Sequence, residues 1–249
     1  MTGRVSGWLA LAAFLAWCTW VVSPDLGRLV AGLPRLARWL SGAFPPDFSG
    51  PADLARRASE TVAIASLGTA LAAVAAVPLS VLAARPVAPL PWLYQPVRVL
   101  LDVLRGVDGF VFALILVAAV GLGPFAGMLG VALHSTGSIA KLWSEALEAA
   151  DLSPVEAALS AGASRAQAAA VVLVPETLPQ TASAVLYVWE FNIRASTVLG
   201  VVGAGGLGQE LKNAVDLLDF ARVLAILIVI VAMVLAADRL SGALRRALL

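Results

Sequence analysis

Charge is scarce in this sequence: Asp, Glu, Lys and Arg make up 13% of 249 residues, against roughly 25% in soluble proteins. With 60% of residues hydrophobic and a mean hydropathy of +0.91, the chain cannot supply the polar surface of a soluble fold. A bilayer would solvate the excess apolar area. Cysteine occurs once, at Cys18 within an apolar run, which excludes disulfide frameworks and cysteine-rich metal sites. Histidine also occurs once, at His134, and a single imidazole without a neighbouring ligand set makes no metal site. The net charge of +1 gives no basic patch for nucleic acid. No G-x-x-x-x-G-K-[ST] phosphate loop is present, so a P-loop nucleotide site is excluded. The apolar stretches carry no paired catalytic carboxylates, which speaks against a membrane enzyme.

What is there is a series of apolar stretches that can cross about 30 Å of hydrocarbon at about 1.5 Å per residue. Six are predicted, at approximately 5–22, 61–84, 107–123, 125–143, 177–200 and 220–237. The N-terminal "MTGRVSGWLALAAFLAWCTWVV" has three tryptophans and no A-x-A-like cleavage site, which predicts a retained first helix rather than a signal peptide. "GLGPF" separates the third and fourth stretches, so those helices are expected to be antiparallel neighbours. The expected fold class is an all-α membrane protein, residues 1–249 forming a single transmembrane domain.

Two connections stand out. Residues 23–60 alternate Leu, Trp and Phe with Arg before Pro45-Pro46, the pattern of an interfacial amphipathic helix or of a solvated loop. Residues 144–175 are Ala-rich and helix-prone but carry Glu145, Glu148, Asp151, Glu156 and Arg165, too polar for lipid. Ser153-Pro154-Val155-Glu156 reads as a helix start with Ser at the cap. Gly162 permits a turn, and Pro175 suits the opening of the next helix.

Glu156-Ala157-Ala158, three residues, Gly162, nine residues, then Val172-x-Val174-Pro175 resembles the "EAA" loop of bacterial ABC importer permeases, EAA-x3-G-x9-I-x-LP. Val172 and Val174 depart from Ile and Leu conservatively. An earlier Glu148-Ala149-Ala150 does not fit, because Pro154 stands where the motif needs Gly. "VFALILVAAVGLGPFAGMLGVALHS" (111–135) and "WEFNIRASTVLGVVGAGGLG" (189–208) resemble the phosphonate-type permeases, which include phosphite importers. The resemblance covers roughly residues 44 to 240. Relatives tend to carry Pro-Glu where Asp108-Gly109 stand here, and this departure falls at the entrance to the third stretch.

The resemblance implies a six-helix type I permease bundle, methionine-importer-like, in the bacterial inner membrane. Its partners would be a cytoplasmic ABC ATPase dimer that hydrolyses the ATP, an external phosphonate-binding protein and a second permease copy in a homodimer. A coupling helix at about 153–165 would dock on the ATPase through Glu156, Ala157, Ala158 and Gly162, with Pro175 closing the motif. The implied cargo is a phosphonate or phosphite-like oxyanion. Methionine or another small solute is the alternative within the same machine, and a channel or carrier independent of ATP the alternative outside it.

"STVLGVVGAGGLGQEL" (196–211) could also be written as a dinucleotide turn through Gly203, Gly205 and Gly208. Such a turn must follow a strand within a βαβ unit, yet the next apolar run is a spanning helix. Gly203, Gly205, Gly206 and Gly208 instead match the external Gly-rich loop of the family, a gate region.

Ionisable groups inside spans are costly and functional by default. Glu190 and Arg194 share one helix face and can pair. Either they fix helix packing, or Arg194, with Asn192 nearby, offers a forked donor to a phosphonate oxyanion. His134 is a pore-facing donor or a hydrogen-bonded packing residue. Asp102 and Arg105 read as a solvated or interfacial pair. A cytoplasmic EAA loop places both termini inside. Nine basic residues then lie inside, Arg4 and Arg165 among them, and seven outside, in the direction of the positive-inside rule.

Overall fold

The computed structural model describes residues 2–88 and 90–248, with side chains described for all of these except residues 2–6, 165, 166 and 248. The side chains of Arg4 and Arg165 therefore lie outside the described residues. Among the described residues the regular structure is helical, without strands. The chain divides into two compact units, residues 1–45 and 46–249.

The first unit holds α1 (Thr2–Val22) and α2 (Leu26–Gly42), bent by 54° at the break between them. Asp25 caps α2 by accepting from the Arg28 amide at 2.9 Å. Leu29, Leu33, Leu36 and Leu40 fall on one face of α2 and Arg28 and Arg35 on the other, the amphipathic helix predicted for this connection.

The second unit opens with α3 (Pro51–Leu82), which begins ten residues before the predicted apolar start. Pro51 at the first turn, followed by Asp53, suits a helix N-terminus, so the polar residues 51–60 add turns that hydrophobicity alone does not reveal. Then come α4 (Tyr94–Gly106), α5 (Gly109–Val120), α6 (Pro124–Ala149), α7 (Ser153–Ser160), α8 (Arg165–Ala168), α9 (Val174–Leu199), α10 (Gly206–Asp216) and α11 (Phe220–Leu248). A π-helical turn, Ala169–Leu173, joins α8 to α9.

The third predicted stretch differs most. Instead of one helix over 107–123, α5 has 12 residues, about 18 Å, and meets α4 at 88°. The Asp108 carboxylate accepts from the Phe110 amide at 2.8 Å and starts a new helix there. The unusual Asp108-Gly109 pair is thus the corner itself. Residues 206–216, expected as loop, form α10, which buries Gly206, Leu207, Gly208 and Ala214.

Among the described residues, three helices can each cross a membrane by length and composition, or up to five spans form if each bent pair counts as one. α6 does not qualify on its own because its polar residues lower its hydropathy. Those residues are satisfied inside the protein: Ser135, Thr136 and Ser144 are buried. α6 is the central helix, packed on α3, α4, α5 and α9, with small residues such as Gly68, Ala72 and Ala140 at its contacts allowing close approach.

Candidate functional site

The EAA segment folds as a short exposed helix with defined ends. Asp151, rather than Ser153, supplies the capping oxygen: its carboxylate accepts from the Ser153 amide at 2.9 Å and hydroxyl at 2.8 Å. The Ser153 backbone N–H and then its hydroxyl hold the Asp151 carboxyl below the usual carboxylate range. α7 buries none of its residues, and Glu156 and Ala157 are exposed. At its end the Gly162 amide donates to the Leu159 carbonyl at 3.0 Å and the Ala163 amide to the Ala158 carbonyl at 3.1 Å. This is a Schellman turn, with Gly162 at φ +93°, the left-handed conformation that favours glycine. The predicted helix over 153–165 therefore stops at Ser160.

The restart is marked in the chain by Ser164-x-x-Gln167. Ser164 and Gln167 form a capping box: the Ser164 amide donates to Gln167 Oε1 at 2.9 Å, and the Gln167 amide to Ser164 Oγ at 3.3 Å. Pro175 follows directly on the π-helical turn in an otherwise unbroken helical run, so its missing N–H falls where the i→i−4 ladder is already interrupted. Val155 packs α7 onto Ala84, Leu147 and Leu173. Beside it an apolar cavity of about 750 Å³ is lined by α3, α6 and α9, with Trp143 and Leu147 among its walls.

The glycine-rich turn lies at the other end of α9. Gly203, Gly205 and Gly206 have positive φ. The Gly203 carbonyl accepts from the Gly123 amide at 2.9 Å, and Thr61 Oγ1 accepts from the Leu207 amide at 2.9 Å. Gly208 lets α10 cross its own chain, since a Cβ there would overlap the Thr197 carbonyl oxygen. Arg222 of α11 ties this end together, donating to the Ser49 carbonyl at 2.6 Å and to Glu210 at 3.1 Å.

Four polar residues predicted for the pathway occupy different settings. Asn192 is 2% exposed and donates to Thr69 Oγ1 and Ser135 Oγ, both at 2.8 Å, joining α9 to α3 and α6. Arg194, two residues on, points elsewhere with its side chain 45% exposed. It stands 3.5 Å from Glu190 and 3.9 Å from Asp238. Glu190 is held more closely by Arg245 of α11, at 2.9 Å. His134 Nδ1 donates to the Val107 carbonyl at 2.9 Å, because a carbonyl can only accept; its ring lies 6.5 Å from that of Phe191. The structure thus groups Glu190 and Arg194 and separates them from Asn192.

Glu148, which the motif spacing set aside, is a hub at the root of α7. Its carboxylate accepts from Arg98 at 2.7 Å, the Tyr94 hydroxyl at 3.3 Å and the Arg85 amide at 3.1 Å. The guanidinium groups of Arg85 and Arg98 lie 5.0 and 4.9 Å from the Tyr94 ring centroid. Nothing local in the sequence marks Glu148, since its partners lie some fifty to sixty residues away.

The chain is similar to the phosphite transport system permease protein PtxC of Stutzerimonas stutzeri, at 42% identity over 96% of this chain and 86% of that one. HtxC of the same organism, provisionally assigned to phosphite transport, is 44% identical over 95% of this chain and 84% of its own. A distinct permease there, HtxE, with the same provisional assignment, is 38% identical over 63% of this chain and 60% of its own. In fold it resembles a chain of the MetNI methionine ABC transporter, with a TM-score of 0.69 over 81% of this chain and 99% of that one, at 23% identity. Residues 76–249 match the model of the binding-protein-dependent transport system inner membrane component, and the chain belongs to that family of transport permeases.

Proposed function

We propose that this chain is the transmembrane subunit of an ATP-driven importer for phosphorus oxyanions, phosphonates or phosphite. The observation that carries the mechanism is α7: an eight-residue helix with no buried residue, closed by a glycine turn, on a chain without a phosphate loop. Such a helix offers a partner a preformed knob. In this reading Glu156, Ala157, Ala158 and Gly162 dock into a cytoplasmic ATPase dimer, and Pro175 hands the motion to α9. ATP binding shifts the bundle between inward- and outward-open states through its differential affinity for them.

The cargo class rests on the likeness to PtxC and HtxC over nearly the whole chain. An external binding protein delivers the oxyanion. The second permease chain is another copy or, as the HtxC and HtxE pair suggests, a distinct paralogue, and the mass of the purified assembly separates the two. Residues 1–249 form one membrane domain with six crossings: α1, α3, the bent α4–α5 pair, α6, α9 and α11. Both termini are cytoplasmic, and the turn through Gly203, Gly205, Gly206 and Gly208 sits by the external gate. Arg194, half-exposed on a spanning helix, must meet water or protein rather than lipid. Arg194, beside Glu190, therefore faces the passage and offers its fork to the oxyanion, while Asn192 and His134 hold the surrounding helices.

The test is uptake of labelled alkylphosphonate and phosphite by cells carrying the permease with its ATPase and binding protein, beside Gly162→Asp. Uptake of either oxyanion, lost in the variant, is the expected result. Normal uptake by the variant would overturn the coupling role, and no uptake of either by the intact system would move the cargo to another solute such as methionine.

A further inference from the structure

α4 lies along α6 and is fastened to it at successive points on one α6 face. His134 donates to the Val107 carbonyl at the corner. Gly137 gives way to the Leu101–Arg105 backbone, where a Cβ would come within 2.6 Å of the Arg105 nitrogen. Lys141 stands 3.6 Å from Asp102, and Glu148 takes Arg98 and Tyr94. Positions 134, 137, 141 and 148 recur at the spacing of one helical face, covering 14 residues of rise, about 21 Å. Between them Val97 and Leu101 pack on Ile139 and Ala140.

An apolar contact alone tolerates sliding. Directional, charge-assisted hydrogen bonds fix register, and the Arg98–Glu148 pair is shielded, its side chains 21% and 25% exposed. Three residues beyond Glu148, Asp151 caps the start of α7, and its amide donates to Glu176 of α9 at 3.3 Å.

We propose that Glu148 is a positioning residue that locks α4 to the coupling end of α6, so that α4 and its corner with α5 travel with α7 as one body. This rests on the ATP-driven importer reading. It adds that the ATPase stroke reaches the short helix α5 through α4 as well as through α9.

The test uses the full assembly in lipid nanodiscs and proteoliposomes, reading ATP hydrolysis and oxyanion uptake together. Glu148→Gln keeps the shape and removes the charge. It is expected to lower uptake per ATP by about ten-fold while ATP hydrolysis stays within about two-fold, the loss of a hydrogen-bonded charge pair. Arg98→Lys, which keeps the charge without the fork, falls between. Exchanging the pair, Glu148→Arg with Arg98→Glu, restores part of the loss. Unchanged uptake per ATP in both Glu148→Gln and Arg98→Gln would overturn the proposal.

A second measurement holds whether or not the variants assemble. Spin labels at V99C and L152C in a Cys18→Ser background, at positions 60% and 38% exposed, should keep one separation with and without trapped ATP. A change of more than about 5 Å, one helical turn, overturns the proposal. An intact assembly without ATP-dependent uptake of any solute would instead defeat the importer reading, a failure visible before any substitution is made.

Discussion

A Cβ added to Gly162, beside α7, would meet nothing within 4 Å, whereas one added to Gly208, in α10, would overlap the Thr197 carbonyl and come within 3.0 Å of the Gly200 Cα. The two glycines stand at opposite ends of α9 and serve opposite needs. Gly162 supplies a backbone conformation in open space, so the α7 end keeps its shape without being packed and leaves its surface free. Gly208 supplies absence of volume, so the turn at the far end is held by close contact with α9. One end of the bundle carries an exposed helix with nothing packed on its closing turn, and the other is closed by its own packing.

Gly208→Val should break the packed end with the largest effect. Backbone cannot retreat as a side chain can, so the cost is about 3 kcal/mol or more, and little folded permease should survive extraction in mild detergent. Recovery at the wild-type level with an unchanged Tm would sink the packing account.

Asn192→Leu comes next. It removes two buried hydrogen bonds joining three helices, leaves Ser135 without that donor, and should cost about 1–3 kcal/mol. The expected readout is a lower Tm in detergent with residual uptake at low temperature, whereas a raised Tm would mean that the junction gains more from apolar packing.

At the open end Gly162→Ala forces a side chain into a left-handed backbone at a cost of about 1–2 kcal/mol, borne locally by the turn. Uptake should fall several-fold with Tm nearly unchanged, and Gly162→Asn, which tolerates that conformation better, should keep most of the activity. Equal loss in both would point to contact with the partner rather than to backbone shape.

The smallest effect concerns Asp151, whose folded-state pKa lies below the ordinary 3.8. Its contribution to the α7 start is complete above the unfolded value and fades as pH falls through the folded one. Protease nicking of residues 150–165 should therefore be flat from about pH 5 to 8 and rise only in stronger acid, and Asp151→Ala should remove that acid dependence. Sensitivity near pH 6 would contradict the assignment.

How far each feature could be read in advance follows from how local its cause is. The amphipathic α2, the long apolar helices, the EAA segment and the Gly162 turn depend on neighbours a few residues away, and their patterns stand in the chain. The corner between α4 and α5 does not, because a run such as 107–123 is apolar whether it continues straight or turns. α10 was hidden for a related reason: its glycines read as loop and become helix only where Thr61 and Thr197 pack against them. Glu148 looked like a failed copy of the motif, and its role emerges from Arg98, Tyr94 and Arg85.

The chain by itself determined that this is a helical membrane protein and where a polar, helix-prone segment, residues 144–175, interrupts the apolar runs. Those follow from composition, period and spacing, which act over single turns. Only the tertiary structure decided that α4 lies across α5, that Asn192 is a buried junction while Arg194 is half-exposed, and that Glu148 gathers Arg98, Tyr94 and Arg85 at the root of α7. Each of these depends on which distant polar groups meet, since a buried donor or acceptor must find a partner and nothing in the local sequence says which one it will be.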